Sequence, residues 1–102
     1  MSRKLGCILL VDDDPATHFL HNRVIKKLDC AEKTATVFNG LEALDFLKKQ
    51  IDEGQPAPEL ILLDINMPLI NAWEFLAAYS RFSKTKKGNA IIIMVTTSLR
   101  SE

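Results

Sequence analysis

The sequence has few of the features that mark secreted, membrane-bound or nucleic-acid-binding proteins. It contains only two cysteines, Cys7 and Cys30, at no metal-ligand spacing, so we expect two free, buried thiols and a reducing, cytoplasmic setting. The 13 basic and 13 acidic residues leave no net charge, which argues against a nucleic-acid-binding surface. The apolar run at 7–11 is too short for a signal-peptide core or a membrane span, so we expect no membrane association.

The composition that remains is that of one globular domain. A length of 102 residues suits a single domain, and 47% of the residues are hydrophobic while 25% are charged. No internal repeat or low-complexity segment interrupts the chain. A chain of this size buries roughly 60–70% of the surface that it exposes when unfolded, which is enough for one modest core.

Four short apolar runs predict four strands. The run at 7–11 is wholly apolar and is followed by acidic residues, which is typical of a strand buried on both faces of a parallel sheet. The other candidate strands lie at 34–38, 60–63 and 90–95. Because helical patterns separate these runs, we predict an α/β fold with right-handed crossovers and helices on both faces of a parallel sheet.

The first helix has the clearest boundary signal. Asp14 is a good N-cap, and Pro15 suits the first helical position. Leu20, Val24 and Leu28 then recur every four residues, which predicts a helix with one apolar face.

Two further helices carry apolar stripes of their own. The second is predicted to end near Gly54, and the third to cover roughly 72–82. In the third helix, either Trp73, Leu76 and Tyr79 or Phe75 and Phe82 are available for packing, and we expect Trp73 to pack. A polar, solvated loop is predicted at 84–89 before the last strand.

Acidic and hydroxyl side chains follow three of the predicted strands. Aspartates at 12–14 follow the first strand, Asp64 the third, and Thr96 and Thr97 the fourth. Because the carboxyl ends of parallel strands lie at one edge of the sheet, we expect these groups to meet there. Clustered carboxylates repel one another, and a hard cation such as Mg²⁺ relieves the repulsion. A carboxylate beside Mg²⁺ can become an aspartyl phosphate, so the pattern predicts a phosphoryl-acceptor site.

Four segments surround or accompany these residues, at 8–15 (ILLVDDDP), 39–44 (NGLEAL), 62–68 (LLDINMP) and 93–97 (IMVTT). In their order and spacing they resemble the receiver domain of two-component response regulators. The resemblance covers nearly all of the chain. It implies a flavodoxin-like, doubly wound parallel sheet with strand order 2-1-3-4-5, here truncated after the fourth strand.

The resemblance also implies a set of metal ligands. Asp13 would bind Mg²⁺ directly, and Asp12 would act mostly through water. Asp64 would contribute its carboxylate, and Asn66 its backbone carbonyl.

The implied function is signalling by phosphoryl transfer. Asp64 would accept the phosphoryl group from a sensor histidine kinase, a phosphotransfer protein or a small phosphodonor. Thr96 would contact the phosphoryl group and couple it to a conformational change, and the backbone N–H of Thr97 would help to hold it. The resemblance leaves the output partner unknown. It implies a domain that is not an enzyme beyond catalysing its own phosphorylation and dephosphorylation.

Two departures from the family pattern have structural consequences. Ala72 stands where the family usually has glycine, and a positive φ there would strain the chain by about 1 kcal/mol. The sequence also ends before the family's fourth helix, fifth strand, its phosphoryl-pairing lysine, and fifth helix. We therefore expect the fourth strand at an exposed sheet edge, bare apolar faces where the missing helices would pack, and either a fragment of a longer chain or a homodimer that covers that edge.

Simpler interpretations of some residues compete with metal binding. Asp14 is better explained as a helix cap than as a metal ligand. His18 and His21 lie three residues apart on one helix, a spacing that could bind metal. Because no third ligand is evident, we expect both histidines to face solvent.

Two other functions stay open. One is a receiver-like interaction module that works without phosphorylation. The missing lysine segment favours it, whereas the presence of Asp12, Asp13, Asp64 and Thr96 argues against it. The other is a Mg²⁺-dependent phosphohydrolase with an aspartyl-phosphate intermediate. The haloacid-dehalogenase pattern for such enzymes requires a second acid where Asn66 stands, and a nucleophile near the start of the domain.

Overall fold

Strands and helices alternate along the chain as the sequence predicts. The computed structural model describes residues 4–55, 57–65, 69–86 and 91–95. The elements in these ranges are β1 (Leu5–Val11), α1 (Pro15–Leu28), β2 (Ala31–Val37), α2 (Gly40–Asp52), β3 (Leu60–Asp64), α3 (Ala72–Lys86) and β4 (Ile91–Val95). Within them, no helix has both the length and the apolarity that crossing a bilayer requires.

The four strands form one parallel sheet with the order β2-β1-β3-β4. In register, Ile8 of β1 lies beside Leu60 of β3 and Thr34 of β2. The order confirms the doubly wound α/β prediction. In the described part of the chain β4 lies at one edge of the sheet, as expected.

Several element boundaries differ from the prediction. β1 begins at Leu5 and β2 at Ala31, because these two residues are paired and the ladder extends beyond the apolar runs. The polar loop expected from residue 84 is wrong at its start, since α3 continues to Lys86. Lysine is a good helix former, so a polar composition does not end a helix.

One face of the sheet is covered by α2 and α3, and the main core lies there. The core residues are all nearly inaccessible to solvent and come from β1, β3 and the two helices. They are Leu9, Val11, Ala43, Leu47, Ile61, Leu63, Ala72 and Phe75.

The opposite face carries α1. The Oγ1 of Thr34 donates a hydrogen bond of 2.8 Å to Oδ1 of Asn22 in α1. Since Thr34 is in register with Ile8, and neighbouring residues of a strand point to opposite faces, α1 lies on the face that does not contain Leu9.

The predicted apolar stripe of α1 exists but is turned away from the sheet. Leu20, Val24 and Leu28 are 55–67% exposed, whereas His18 is buried. The expectation that His18 faces solvent is wrong, and His21 is half-buried.

Two further expectations about single residues need correction. Trp73 is 63% exposed instead of packed, and Phe75 of the same helix occupies the core. Cys7 is buried as expected, but Cys30 is only half-buried; both thiols are free.

Ala72 escapes the strain considered above. It is the first residue of α3 and does not have a positive φ. Among the described non-glycine residues, positive φ occurs at Asp29 (54°), which follows α1, and at Leu69 (74°). Among the described residues of the β3–α3 connection, Leu69 has the positive φ, at a cost of about 1–2 kcal/mol.

Candidate acidic site at the strand ends

Three carboxylates meet at the carboxyl ends of β1 and β3. Asp12 and Asp13 directly follow β1, and Asp64 is the last residue of β3. The two strands are neighbours, with Val11 beside Leu63. One carboxylate oxygen from each aspartate lies within 4.8 Å of the other two. The fold thus brings together the three predicted metal-binding carboxylates.

The three aspartates differ in their access to solvent. Asp12 is 4% exposed and Asp64 is 2% exposed, whereas Asp13 is exposed. Burying carboxylates is costly unless hydrogen bonds or opposite charge compensate them. The site therefore has two buried acids, with Asp13 at its open side, where a ligand can enter.

The arrangement fits a hard divalent cation. Mg²⁺ binds oxygens at about 2.0–2.1 Å in an octahedron, so neighbouring ligand oxygens lie roughly 3 Å apart and opposite ones roughly 4 Å apart. The carboxylate oxygens here are already within 4.8 Å of one another, so small side-chain movements suffice. Carboxylate oxygens suit Mg²⁺, Ca²⁺ or Mn²⁺ and do not favour the metals that prefer nitrogen or sulfur.

The turn between β1 and α1 is held by its own acidic side chains. Oδ1 of Asp12 accepts a hydrogen bond of 2.9 Å from the backbone N–H of Asp14. The carboxylate of Asp14 accepts from the backbone N–H of Ala16 at 3.0 Å and from the hydroxyl of Thr17 at 3.1 Å. Asp14 therefore caps α1, and it lies outside the carboxylate cluster.

His18 contacts this turn from α1, and the sequence analysis did not predict this contact. Its Nε2 is 2.9 Å from the carbonyl oxygen of Asp12 and 2.9 Å from that of Val37. Carbonyl oxygens only accept, so Nε2 carries a hydrogen and donates to both. The ring also meets Phe38 edge to face, with 4.9 Å between centroids.

A signal for this burial was present in the sequence. His18, Asn22 and Ile25 follow one another at helical spacing, on the side of α1 roughly opposite Leu20. The prediction instead placed the buried side of α1 at Leu20, Val24 and Leu28, because these apolar side chains are larger.

Three predicted site residues, Asn66, Thr96 and Thr97, lie outside the described residues. Their roles as metal ligand and phosphoryl contacts stay predictions.

A parallel α/β sheet with carboxylates gathered at adjacent strand ends defines a class of protein that binds its ligands at this edge. Within that class, the chain belongs to the response regulator receiver domain family, whose model matches residues 8–102. The resemblance drawn from the four sequence segments is confirmed. The chain is therefore a receiver domain of the type found in two-component signalling.

Individual relatives agree with this assignment. The response regulator Rcp1 of Synechocystis sp. is 35% identical over 92 residues, covering 89% of this chain and 61% of Rcp1. The solved structure of a two-component response regulator from Cytophaga hutchinsonii has a TM-score of 0.87 and 32% identity, covering 96% of this chain and 73% of that one. The MaeR response regulator, solved with beryllium trifluoride bound, has a TM-score of 0.70 and 25% identity, covering 91% of this chain and 68% of that one.

The chain is shorter than these proteins. It spans 59% and 61% of the length of two curated regulators that it matches, FilR2 of Methanothrix harundinacea and Rcp1.

Proposed function

We propose that this receiver domain accepts a phosphoryl group on the carboxylate of Asp64, with Mg²⁺ bound by Asp12, Asp13 and Asp64. The observation that carries the proposal is the convergence of the three carboxylates, whose oxygens lie within 4.8 Å of one another. Membership of the receiver family, which generally uses Mg²⁺, supports it.

The chemistry is a phosphoryl transfer to a carboxylate. An oxygen of Asp64 forms a new bond to phosphorus while the bond from phosphorus to the donor breaks, and the donor leaves with that electron pair and takes up a proton. Bound Mg²⁺ supplies positive charge against the transferring group. Asp64 is nearly inaccessible while Asp13 is exposed, so the donor is expected to approach from the side of Asp13.

We further propose the family's remaining roles for residues outside the described ranges. The backbone carbonyl of Asn66 completes the protein ligands of Mg²⁺. The hydroxyl of Thr96 and the backbone N–H of Thr97 contact the phosphoryl group, and Thr96 transmits its arrival to a distant surface. The donor is a sensor histidine kinase or a phosphotransfer protein, and the domain signals without turning over a substrate.

The experiment is an incubation with Mg²⁺ and acetyl phosphate, followed by an intact-mass measurement. We expect one phosphoryl adduct in the natural protein and none in Asp64→Asn. Asp14→Asn is the matched control, because Asp14 lies outside the cluster and asparagine also caps helices well. That variant should still be phosphorylated.

Other outcomes would favour the alternative functions. A folded protein that neither binds Mg²⁺ nor gains an adduct would favour the phosphorylation-independent interaction module. Sustained turnover of a phosphomonoester would favour the phosphohydrolase.

We also propose that the β4 edge of the described sheet is covered, either by further chain of a longer protein or by a second copy of this chain. The support is the position of β4 at the edge of the described sheet, together with Ile93, which is partly exposed on that strand. If a second copy covers the edge, size-exclusion chromatography with light scattering should show a dimer. A stable, well-folded monomer at every concentration would contradict this proposal.

A further inference from the structure

We infer that His18 is a positioning residue for the acidic site, because its Nε2–H holds the peptide that joins Asp12 to Asp13. The inference rests on the proposed Mg²⁺ and phosphoryl-acceptor function. It assigns to a residue of α1, outside the carboxylate cluster, control over where the metal-binding carboxylates lie.

The main chain of Asp12 is tied at both of its polar groups. Its N–H donates to the carbonyl oxygen of Val37 at 3.2 Å. Its carbonyl oxygen accepts from Nε2 of His18 at 2.9 Å, and the same Nε2 is 2.9 Å from the carbonyl oxygen of Val37. One imidazole therefore joins the end of β1, the end of β2 and α1.

This contact controls Asp13 in particular. The carbonyl of Asp12 belongs to the peptide plane whose nitrogen is that of Asp13, so rotating the plane moves the backbone of Asp13. The side chain of Asp12 has a separate anchor, since its Oδ1 accepts from the N–H of Asp14. Asp13 is the exposed acid of the cluster, so its placement depends more on the backbone that carries it.

The ring itself is held firmly. His18 is 5% exposed, and Phe38 meets it edge to face. Its own carbonyl oxygen accepts from Nδ2 of Asn22 at 3.0 Å, and Asn22 in turn accepts from Thr34 of β2. Within the described residues Nδ1 makes no hydrogen bond, so Nε2 carries the polar contacts of the ring.

A packing role alone would have a different signature from a positioning role. Groups that orient metal ligands typically change metal affinity by 10–100-fold when they are removed. A ring that only fills space would change the stability of the fold and leave the Mg²⁺ affinity of the folded protein unchanged. The two roles are therefore separated by measuring affinity and stability on the same variants.

The test compares His18→Leu, which keeps apolar bulk without a donor, with His18→Gln, whose amide nitrogen can reach about as far as Nε2. His21→Leu, on the same helix, is the matched control. Mg²⁺ affinity is measured by calorimetry on each folded protein, and urea unfolding is measured without Mg²⁺. The rate of phosphorylation by acetyl phosphate is then followed as a function of Mg²⁺ concentration.

We expect His18→Leu to weaken Mg²⁺ binding about tenfold, and His18→Gln to restore it to within about threefold of the natural protein. His21→Leu should bind as the natural protein does. In His18→Leu the Mg²⁺ concentration for half-maximal phosphorylation should rise by the same factor, while the rate at saturating Mg²⁺ recovers.

A folded His18→Leu protein with natural Mg²⁺ affinity would overturn the inference and leave the proposed function intact. If the natural protein itself binds no Mg²⁺, the proposed function fails, and the inference fails with it. Should His18→Leu not fold, His18→Asn replaces it, because its shorter amide should not reach the two carbonyls. Equal Mg²⁺ affinities of His18→Asn and His18→Gln would then overturn the inference.

Discussion

The two faces of the sheet are covered by different physical means. On one face, α2 and α3 close an apolar core in which Phe75 and the inward residues of β1 and β3 are almost completely buried. On the other face, Ile8 and Leu10 are buried too, but polar contacts of His18 and Asn22 join α1 to β2, and Leu20, Val24 and Leu28 of α1 point outward. Hydrogen bonds from buried polar side chains thus help to place α1, whereas apolar packing places α2 and α3.

The acidic site lies where these two modes of attachment meet. The cluster is built on β1 and β3, whose inward residues belong to the packed core. The turn that carries Asp12 and Asp13 leads into α1, the helix attached by hydrogen bonds. The packed strand β3 therefore places Asp64. The hydrogen bond from His18 helps to place Asp12 and Asp13 beside it.

The largest expected effect is on the packed face. Phe75→Ala should lower the free energy of unfolding by about 3–5 kcal/mol, because it removes a fully buried ring and leaves a cavity. Trp73→Ala, two residues away on the same helix, should change it by about 0.5 kcal/mol or less, since that ring is exposed. Urea unfolding of both variants measures the difference, and equal losses would contradict the described orientation of α3.

Close packing at the start of α2 gives the next effect. A Cβ added at Gly40 would lie 2.6 Å from Cγ1 of Ile70, so Gly40→Ala should cost about 1–3 kcal/mol. Gly6→Ala is the control, because its nearest contact would be Oε1 of Glu59 at 3.9 Å. If the two substitutions cost the same in thermal or urea unfolding, α2 is not packed against Ile70 as described.

The polar attachment of α1 is expected to contribute less. Thr34→Val removes the hydroxyl that donates to Asn22 at 2.8 Å, and should cost about 1 kcal/mol. In a double-mutant cycle with Asn22→Ala, the coupling should be about 0.5–1 kcal/mol. Val24→Ala, on the exposed stripe, should change stability by about 0.5 kcal/mol or less. If Val24→Ala destabilised the protein more than Thr34→Val, the exposed stripe would matter more to the attachment of α1 than its polar contacts do.

The smallest expected effect is a pH dependence from Cys7. Burial raises the pKa of the Cys7 thiol above its ordinary value of 9.0, partly opposed by Lys33. The unfolded thiol ionises first, so the contribution of Cys7 to stability is constant below about pH 9 and falls as pH rises toward the folded pKa. Burial also raises the pKa of Tyr79, but from an ordinary value of 10.0. Between pH 9 and 10 we therefore assign the fall in stability to Cys7.

The measurement for Cys7 is the urea midpoint as a function of pH. Cys7→Ala should remove the decline between pH 9 and 10, whereas Cys30→Ala should keep it. A decline of equal size in both variants would assign the pH dependence to another group.

The sequence by itself determined the order of the elements and the chemistry at their ends. Short apolar runs predict buried strands, Asp14 and Pro15 predict where α1 begins, and the acids after two strands predict the site, because these signals are local. The family follows from the same short segments.

Only the tertiary structure decided which side of each helix faces the sheet. Leu20 and Val24 form the stronger apolar stripe of α1, yet His18 occupies the buried side, because two backbone carbonyls from different strands converge there. Likewise, Phe75 is buried and Trp73 exposed, although both rings are apolar and lie on one helix. The side of a helix that is buried depends on contacts with groups distant in the sequence. A local sequence pattern does not show where those groups lie.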